Sequence, residues 1–380
     1  MELFSISFFE LQKLKYARLK QEYGKPMGLK SFIAKRLIYS FTVICIVILF
    51  NYSLFIHMGN PMELFLPPKA GIPQEVWDQY AESLRHRWGL DQPLFVQAAL
   101  ALYNMLTVNF GESYRTHEYI PDLIVRKLPY TLLLLGTSTV ASIVIGVVLG
   151  VVVAAKRGGK FDTFNVSFAL IFYSVPTFWI GLLLILQFSS NLGWLPSGRA
   201  FPISWTLKGF PEAYNSNVTV SDASLLMTLN FNFQETSKLI MGYVWHIILP
   251  FLTLTLYTYG GFLLLTRATM IDALTEDYIV TARAKGLPEI KVLYKHALKN
   301  ASLPLITSAV LSFAFMVSGA VITETVFNYP GMGGWIWNSI MLYDYGILMP
   351  VFYIISLLVI IANFIADLLY GIIDPRINIR

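Results

Sequence analysis

The chain has 380 residues, of which 56% are hydrophobic and only 13% are charged, with a mean hydropathy of +0.59. This composition excludes an ordinary soluble domain and is typical of a protein that crosses a membrane several times. The net charge of +5 does not indicate nucleic acid as a partner, because a lysine and arginine surplus in a membrane protein commonly follows the positive-inside rule. The single cysteine, Cys45, excludes a disulfide framework and a cysteine-held metal centre.

The apolar sequence contains runs that are long enough to cross a bilayer. A hydrocarbon core of about 30 Å needs about 20 helical residues. Six nearly uncharged runs of this length predict an all-α polytopic membrane protein with six transmembrane helices. The predicted spans are Leu37–His57, Pro129–Ala155, Phe164–Ser189, Trp245–Thr266, Ala301–Val326 and Leu348–Ile373.

The distribution of basic residues predicts how these spans are oriented. Of the 28 lysines and arginines, 19 fall in the segments on one side of the predicted membrane and 9 on the other. The short basic loops belong to the first side, so both termini are expected in the cytoplasm. The predicted parts are a cytoplasmic N-terminal extension (1–36), a transmembrane domain (37–373) with an external cap (58–128), an external insert (200–242) and a cytoplasmic loop (267–300), and a cytoplasmic tail (374–380).

Small and polar residues inside the spans suggest helix contacts and a path for substrate. The second span has a small residue at every fourth position, which favours close packing against another helix, within this subunit in preference to a subunit interface. Hydroxyl groups in spans four and five are candidates for lining a translocation path, although Ser and Thr hydroxyls bond equally well to their own helix backbone. These candidates are Thr255, Thr258, Tyr259, Ser308 and Ser312.

Proline, glycine and acidic residues mark local features of the spans. Pro176 is expected to kink the third span. The run Pro330–Trp335 is expected to form a tight outer loop. Glu324 and Asp367 lie toward span ends, which favours a helix-end role over ion coupling.

Sequence motifs for ATP or metal chemistry do not occur in the chain. It has no G-x-x-x-x-G-K-[ST] run and no H-E-x-x-H pair among its five histidines. We therefore expect no catalytic residue, no metal site and no cofactor in this chain. If transport is active, its energy is expected to come from a partner.

The loop between spans four and five predicts two short helices separated by Gly286. The first covers Tyr278–Lys285, and the second begins at Pro288. Ala282, Gly286 and the later Leu303-Pro304 resemble the E-A-A loop of the membrane subunits of binding-protein-dependent ABC importers. The missing glutamate and the longer glycine-to-proline spacing are similar to the dipeptide and oligopeptide permease branch, whose D-Y-x-x-T-A-R-A-K-G-L matches Asp277–Leu287.

Other motifs of this branch recur in order along most of the chain. The segments that resemble these motifs are Gly59-Asn60-Pro61, Trp88–Pro93, Arg126–Leu134, Ser174–Gly181, Leu192–Pro196, Glu324–Gly331 and Asp374-Pro375-Arg376.

The resemblance implies a type I ABC importer permease fold and a set of partners. These are a second homologous permease subunit, two cytoplasmic ATPase subunits that bind ATP and Mg²⁺, and an extracytoplasmic substrate-binding protein. The coupling helix and turn would contact the ATPase through Asp277, Tyr278, Ala282, Arg283, Ala284, Lys285, Gly286 and Leu287, with Ala282 allowing close approach. The cap would meet the binding protein through Arg85, Arg87 and Trp88, which combine charge and aromatic area.

Two alternatives remain open from the sequence. The same permease branch also serves oligosaccharides, and the aromatic content of 15% suits sugar stacking as well as membrane interfaces. A membrane-embedded enzyme or a channel without an ATPase is the rival of another class.

Overall fold

The computed structural model describes residues 29–57, 73–87, 91–202, 233–315, 320–342 and 344–373. Within these ranges the regular structure is helical, apart from an isolated β-bridge between Glu112 and Tyr119. The helices are α1 Leu29–His57, α2 Gln74–Arg87, α3 Leu94–Leu106, α4 Ile120–Ala155, α5 Lys160–Ser174, α6 Thr177–Leu184, α7 Phe233–Leu274, α8 Asp277–Ala284, α9 Glu289–Lys291, α10 Leu298–Phe315, α11 Val321–Val326, α12 Met332–Met341 and α13 Tyr345–Ile373. A π-helical stretch, Ile185–Asn191, continues α6, and another, Val292–Ala297, joins α9 to α10.

Four of these helices contain segments long and apolar enough to cross a membrane. The segments are Ala34–Leu54, Ile120–Ala155, Ile240–Leu274 and Gly346–Ile365, and the bent pair Lys160–Ser174 and Thr177–Asn191 could make a fifth. The predicted fifth span is divided between α10 and α11, with residues 316–319 outside the described ranges. The all-α, multi-pass prediction is confirmed, and the described helices are consistent with six spans.

The third predicted span is sharply bent at Pro176. α5 ends at Ser174, Val175 is extended (φ −81°, ψ 134°), and Pro176 precedes the first residue of α6. Proline disfavours a helical residue before it and has no N–H to continue the ladder. The chain bends by 101° between the two helices, so the expected kink is present and is close to a right angle.

The small-residue stripe of α4 packs against α7 of the same chain. Ser138, Ser142, Gly146, Gly150 and Ala154 are all buried. A Cβ added at Gly146 would lie 2.5 Å from the Phe262 Cβ, and one at Gly150 would lie 2.5 Å from the Thr266 Cβ. Only glycine permits this backbone separation, so the predicted packing within the subunit is confirmed.

Within the predicted cap, α3 packs against the long helices. Met105 of α3 joins Ile48 of α1, Ile124 of α4 and Leu348 of α13 in one apolar cluster. The loop after α3 is fixed by Ser113, whose hydroxyl donates to the buried Asp344 carboxylate 2.5 Å away.

Two segment boundaries differ from the prediction. α4 begins at Ile120, within the predicted cap, and α7 begins at Phe233, within the predicted insert.

Candidate coupling site

The long helix α7 leads almost directly into the predicted coupling helix. α7 ends at Leu274, and α8 begins at Asp277 after two connecting residues. Glu276 is extended (φ −79°, ψ 146°), and Asp277 provides a negative charge in the first turn of α8, where the helix dipole favours it. The connection between the two helices is therefore only two residues long, Thr275 and Glu276.

Gly286 ends the short helix in a left-handed conformation. Its φ is +73°, and its N–H donates to the Arg283 carbonyl 2.9 Å away. A Cβ added at this glycine would meet no atom within 4 Å. Glycine is thus favoured here because of the positive φ angle, and not because a larger side chain would clash. Pro288 follows as the cap of α9, at the break that the sequence predicted.

One side of α8 is buried against the ends of the long helices. Ile279 and Ala282 belong to an apolar cluster with Val151 and Ala154 of α4, Met270 and Ala273 of α7, and Val292, Leu293, Ala297 and Ala301 of the segment after Gly286. Ala282 is only 5% exposed. The expectation that Ala282 allows close approach to a partner is corrected, since its neighbours are helices of its own chain.

Two further residues of the predicted site also approach this cluster. Tyr278 and Leu287 are half-buried and pack against it. The Tyr278 hydroxyl oxygen is buried with no hydrogen-bond partner among the described residues. The cluster therefore fixes α8 to the ends of α4, α7 and α10.

The opposite side of the loop is open to solvent. Asp277, Arg283, Ala284, Lys285 and Gly286 are exposed, as the prediction of a contact surface requires. Val280 and Ile290 are also exposed, by 63% and 74%, and the sequence analysis did not include them. Their signal in the sequence is an apolar side chain inside a charged loop between two spans.

An ion pair connects the two arms of this loop across Gly286. Arg283 Nη2 lies 2.6 Å from Glu289 Oε1, and Arg283 Nε lies 3.2 Å from Glu289 Oε2. The hydrogen bond from Arg283 holds the pKa of the Glu289 carboxyl below its usual range. Both side chains are about half exposed, so the pair fixes the angle of the turn more than it stabilises the fold.

The predicted path residues divide between two places. Thr255 and Tyr259 are buried in the α4–α7 region, and their hydroxyl oxygens have no partner among the described residues. Thr258 contacts the Ser142 hydroxyl of α4 at 2.5 Å. On α10 the half-buried Ser312 donates to the Ser308 carbonyl of its own helix, 2.8 Å away. The Thr258 and Ser312 hydroxyls therefore bond within or between helices of the described chain.

The predicted docking residues are only partly described. Arg85 is exposed on α2, whereas Trp88 and the side chain of Arg87 lie outside the described residues. Next to them the His86 ring lies 2.9 Å from Asp91, and this hydrogen bond raises the pKa of His86.

Glu324 lies buried where α4, α11 and α12 meet. Its side chain is 0% exposed and accepts hydrogen bonds from Thr131 Oγ1 at 2.9 Å and from the Gly334 N–H at 3.1 Å. Gly334 is in the first turn of α12, so the carboxylate has the helix-end role that the sequence favoured.

The expected tight loop is shorter than Pro330–Trp335, because α12 already begins at Met332. The side chain of Asp367 lies outside the described residues.

The comparisons with known proteins agree with this architecture. Residues 146–379 match the family described as "Binding-protein-dependent transport system inner membrane component". The chain is 34% identical to the di/tripeptide transport system permease protein DppB of Pseudomonas aeruginosa, over 92% of this chain and 98% of the relative. It is 36% identical to the oligopeptide transport system permease protein AppB of Bacillus subtilis (84% and 90%) and 32% identical to the glutathione transport system permease protein GsiC of Escherichia coli (92% and 99%). The chain belongs to the family of inner membrane components of binding-protein-dependent transport systems.

Proposed function

We propose that this chain is a permease subunit of an ATP-driven importer and forms half of a translocation path for short peptides. The observation that carries the proposal is the near full-length similarity to relatives named for di/tripeptide, oligopeptide and glutathione transport. These names favour peptides over the oligosaccharides that the sequence left open. The path would be completed by a second, homologous permease subunit.

The coupling loop supports an ATPase as partner. α8 has a buried side fixed to the ends of α4, α7 and α10 and an exposed side of mixed apolar and charged character. A short helix held in this way transmits a push to the long helices as a rigid body. Two ATPase subunits, which bind ATP and Mg²⁺ themselves, would supply that push by closing around nucleotide.

The external helices support a substrate-binding protein as the other partner. α2 carries the exposed Arg85, and α3 packs into the cluster at the outer ends of α1, α4 and α13. Contact with α3 would therefore reach the spans through packed side chains. Arg85, Arg87 and Trp88 are the proposed docking residues. The basic-residue asymmetry supports a cytoplasmic position for α8, the turn at Gly286 and both termini.

Peptide uptake by cells tests the proposed function. A strain lacking this chain should lose uptake of radiolabelled alanine di-, tri- and pentapeptides, and expression of the chain should restore it. Uptake of a labelled cello-oligosaccharide serves as the matched comparison. Unchanged peptide uptake together with lost oligosaccharide uptake would replace peptides by sugars in the proposal.

A further inference from the structure

A partly buried ion pair joins the start of α5 to the last part of α7. Arg267 Nε lies 2.7 Å from Asp162 Oδ1, and Arg267 Nη2 lies 2.8 Å from Asp162 Oδ2. Asp162 Oδ2 also accepts the Gly158 N–H at 2.9 Å. The Asp162 side chain is 6% exposed and that of Arg267 is 28% exposed. Two parallel bonds between planar groups fix orientation as well as distance.

The position of Arg267 connects this pair to the coupling helix. Arg267 lies in the last part of α7, seven residues before Leu274. At 1.5 Å per residue this is about 10 Å of continuous helix. α8 begins two residues after α7 ends. Ile279 and Ala282 of α8 also pack in one cluster with Met270 and Ala273 of α7, so a displacement of α8 reaches Arg267 through packed side chains and the continuous end of α7.

The position of Asp162 connects the pair to the bend at Pro176. Asp162 is in the first turn of α5, and α5 ends at Ser174 where the 101° bend follows. α5 also contacts α7 at Ala169, whose carbonyl oxygen would lie 2.9 Å from a Cβ added at Gly260. Such a contact between small residues holds helices close by van der Waals packing, without a bond that fixes their rotation. The ion pair provides that directional bond.

We propose that the Asp162–Arg267 ion pair is the joint through which movement of the coupling helix turns α5 and the bent α5–α6 pair during transport. This inference rests on the proposed function of the chain as an importer subunit. Asp162 and Arg267 are positioning residues, because neither needs to touch substrate or nucleotide. Without the pair, ATPase closure would still move α7, but α5 would follow imprecisely.

Paired measurements of transport and ATP hydrolysis test this inference. The complex, purified with its ATPase, second permease and binding-protein partners, is reconstituted with Asp162→Asn, Arg267→Gln, both changes together, or the control Lys160→Gln. Lys160 is exposed and in the same helical turn as Asp162, so the control removes a charge without touching the pair. Uptake of labelled trialanine and trialanine-stimulated ATPase activity are measured on the same vesicles.

The expected result is a loss of coupling. Peptides imported per ATP hydrolysed should fall about tenfold in each single variant, equivalent to about 1.4 kcal/mol of coupling energy. The double variant should be no worse than either single one, since both remove the same interaction. Lys160→Gln should keep the wild-type ratio.

Two outcomes would overturn the inference. Uptake and ATPase activity that fall together with the amount of assembled complex would show a structural role only. An unchanged ratio in both single variants would show that the pair transmits nothing. If the wild-type complex imports no peptide but its ATPase responds to another substrate, the peptide assignment fails instead, and the ratio is measured with that substrate.

Discussion

The Thr131 hydroxyl donates a hydrogen bond to the buried Glu324 carboxylate at 2.9 Å, across 193 residues of chain. The same Thr131 oxygen accepts the N–H of Met332 at 2.7 Å. One hydroxyl thus connects α4 to α11 and to the start of α12. Gly331 and Gly333 lie against this arrangement so closely that an added Cβ would meet the Glu324 carboxylate.

Thr131→Val should destabilise the protein strongly, although the two side chains have nearly the same volume. It leaves a buried carboxylate oxygen and a buried N–H without their partner, at a cost of about 1–3 kcal/mol. Thermal unfolding of the purified protein in lipid nanodiscs measures the effect. Thr137→Val is the control, because the exposed Thr137 hydroxyl donates only to its own helix, at 2.7 Å from the Leu133 carbonyl. Equal stability of the two variants would contradict the account of Glu324.

Gly286→Ala and Gly286→Leu should impair ATPase coupling to a similar degree. The left-handed angle costs alanine or leucine about 1–2 kcal/mol, and the open space around the glycine makes side-chain size unimportant. Gly286→Asn should be milder, since asparagine tolerates this region better. Amounts in the membrane should stay normal. Normal substrate-stimulated ATPase activity in Gly286→Leu would show that the turn is dispensable.

Val280→Asp combined with Ile290→Asp should weaken binding of the ATPase subunits. Both side chains are exposed on the loop and would lose apolar contact area at the partner's surface. A loss of about 2 kcal/mol corresponds to roughly 30-fold weaker binding, which copurification at graded ATPase concentrations detects. Val76→Asp, at an exposed valine of α2 in the proposed external cap, is the control. If the double variant retains its ATPase subunits as the control does, this surface is not their contact site.

Lys291→Cys in a Cys45→Ser background should react with a membrane-impermeant maleimide only after the cells are opened. The reason is the 19 to 9 asymmetry of basic residues between the two sides. Arg85→Cys, on exposed α2, should react from outside in intact cells. Labelling of Lys291→Cys in intact cells would reverse the proposed topology.

Local chemistry explains which features could be predicted from sequence. Gly286 and Pro288 act through their own backbone angles, so the turn was predictable from the residues alone. Pro176 likewise predicted a kink, whereas the 101° angle depends on how α5 and α6 pack elsewhere. The burial of Ala282 was not predictable, because an eight-residue helix does not show which of its sides meets α4 and α7.

Contacts between residues far apart in the chain could not be predicted from the sequence. The helix-end role of Glu324 follows from its place in the span, but its partner Thr131 is 193 residues away. The Asp162–Arg267 pair is separated by 105 residues, and neither residue stood out from the basic and acidic residues near it. Such pairs arise from the packing of α4, α5 and α7, which no local pattern encodes.

ATP-dependent peptide accumulation in proteoliposomes tests the central claim most directly. The vesicles contain this chain with its second permease and ATPase partners, and the binding protein and labelled trialanine are outside. The account predicts trialanine uptake that requires ATP inside the vesicles and disappears when this chain is omitted. Uptake that proceeds without ATP, or an assembled and ATP-hydrolysing complex that accumulates cello-oligosaccharide and no peptide, would contradict it.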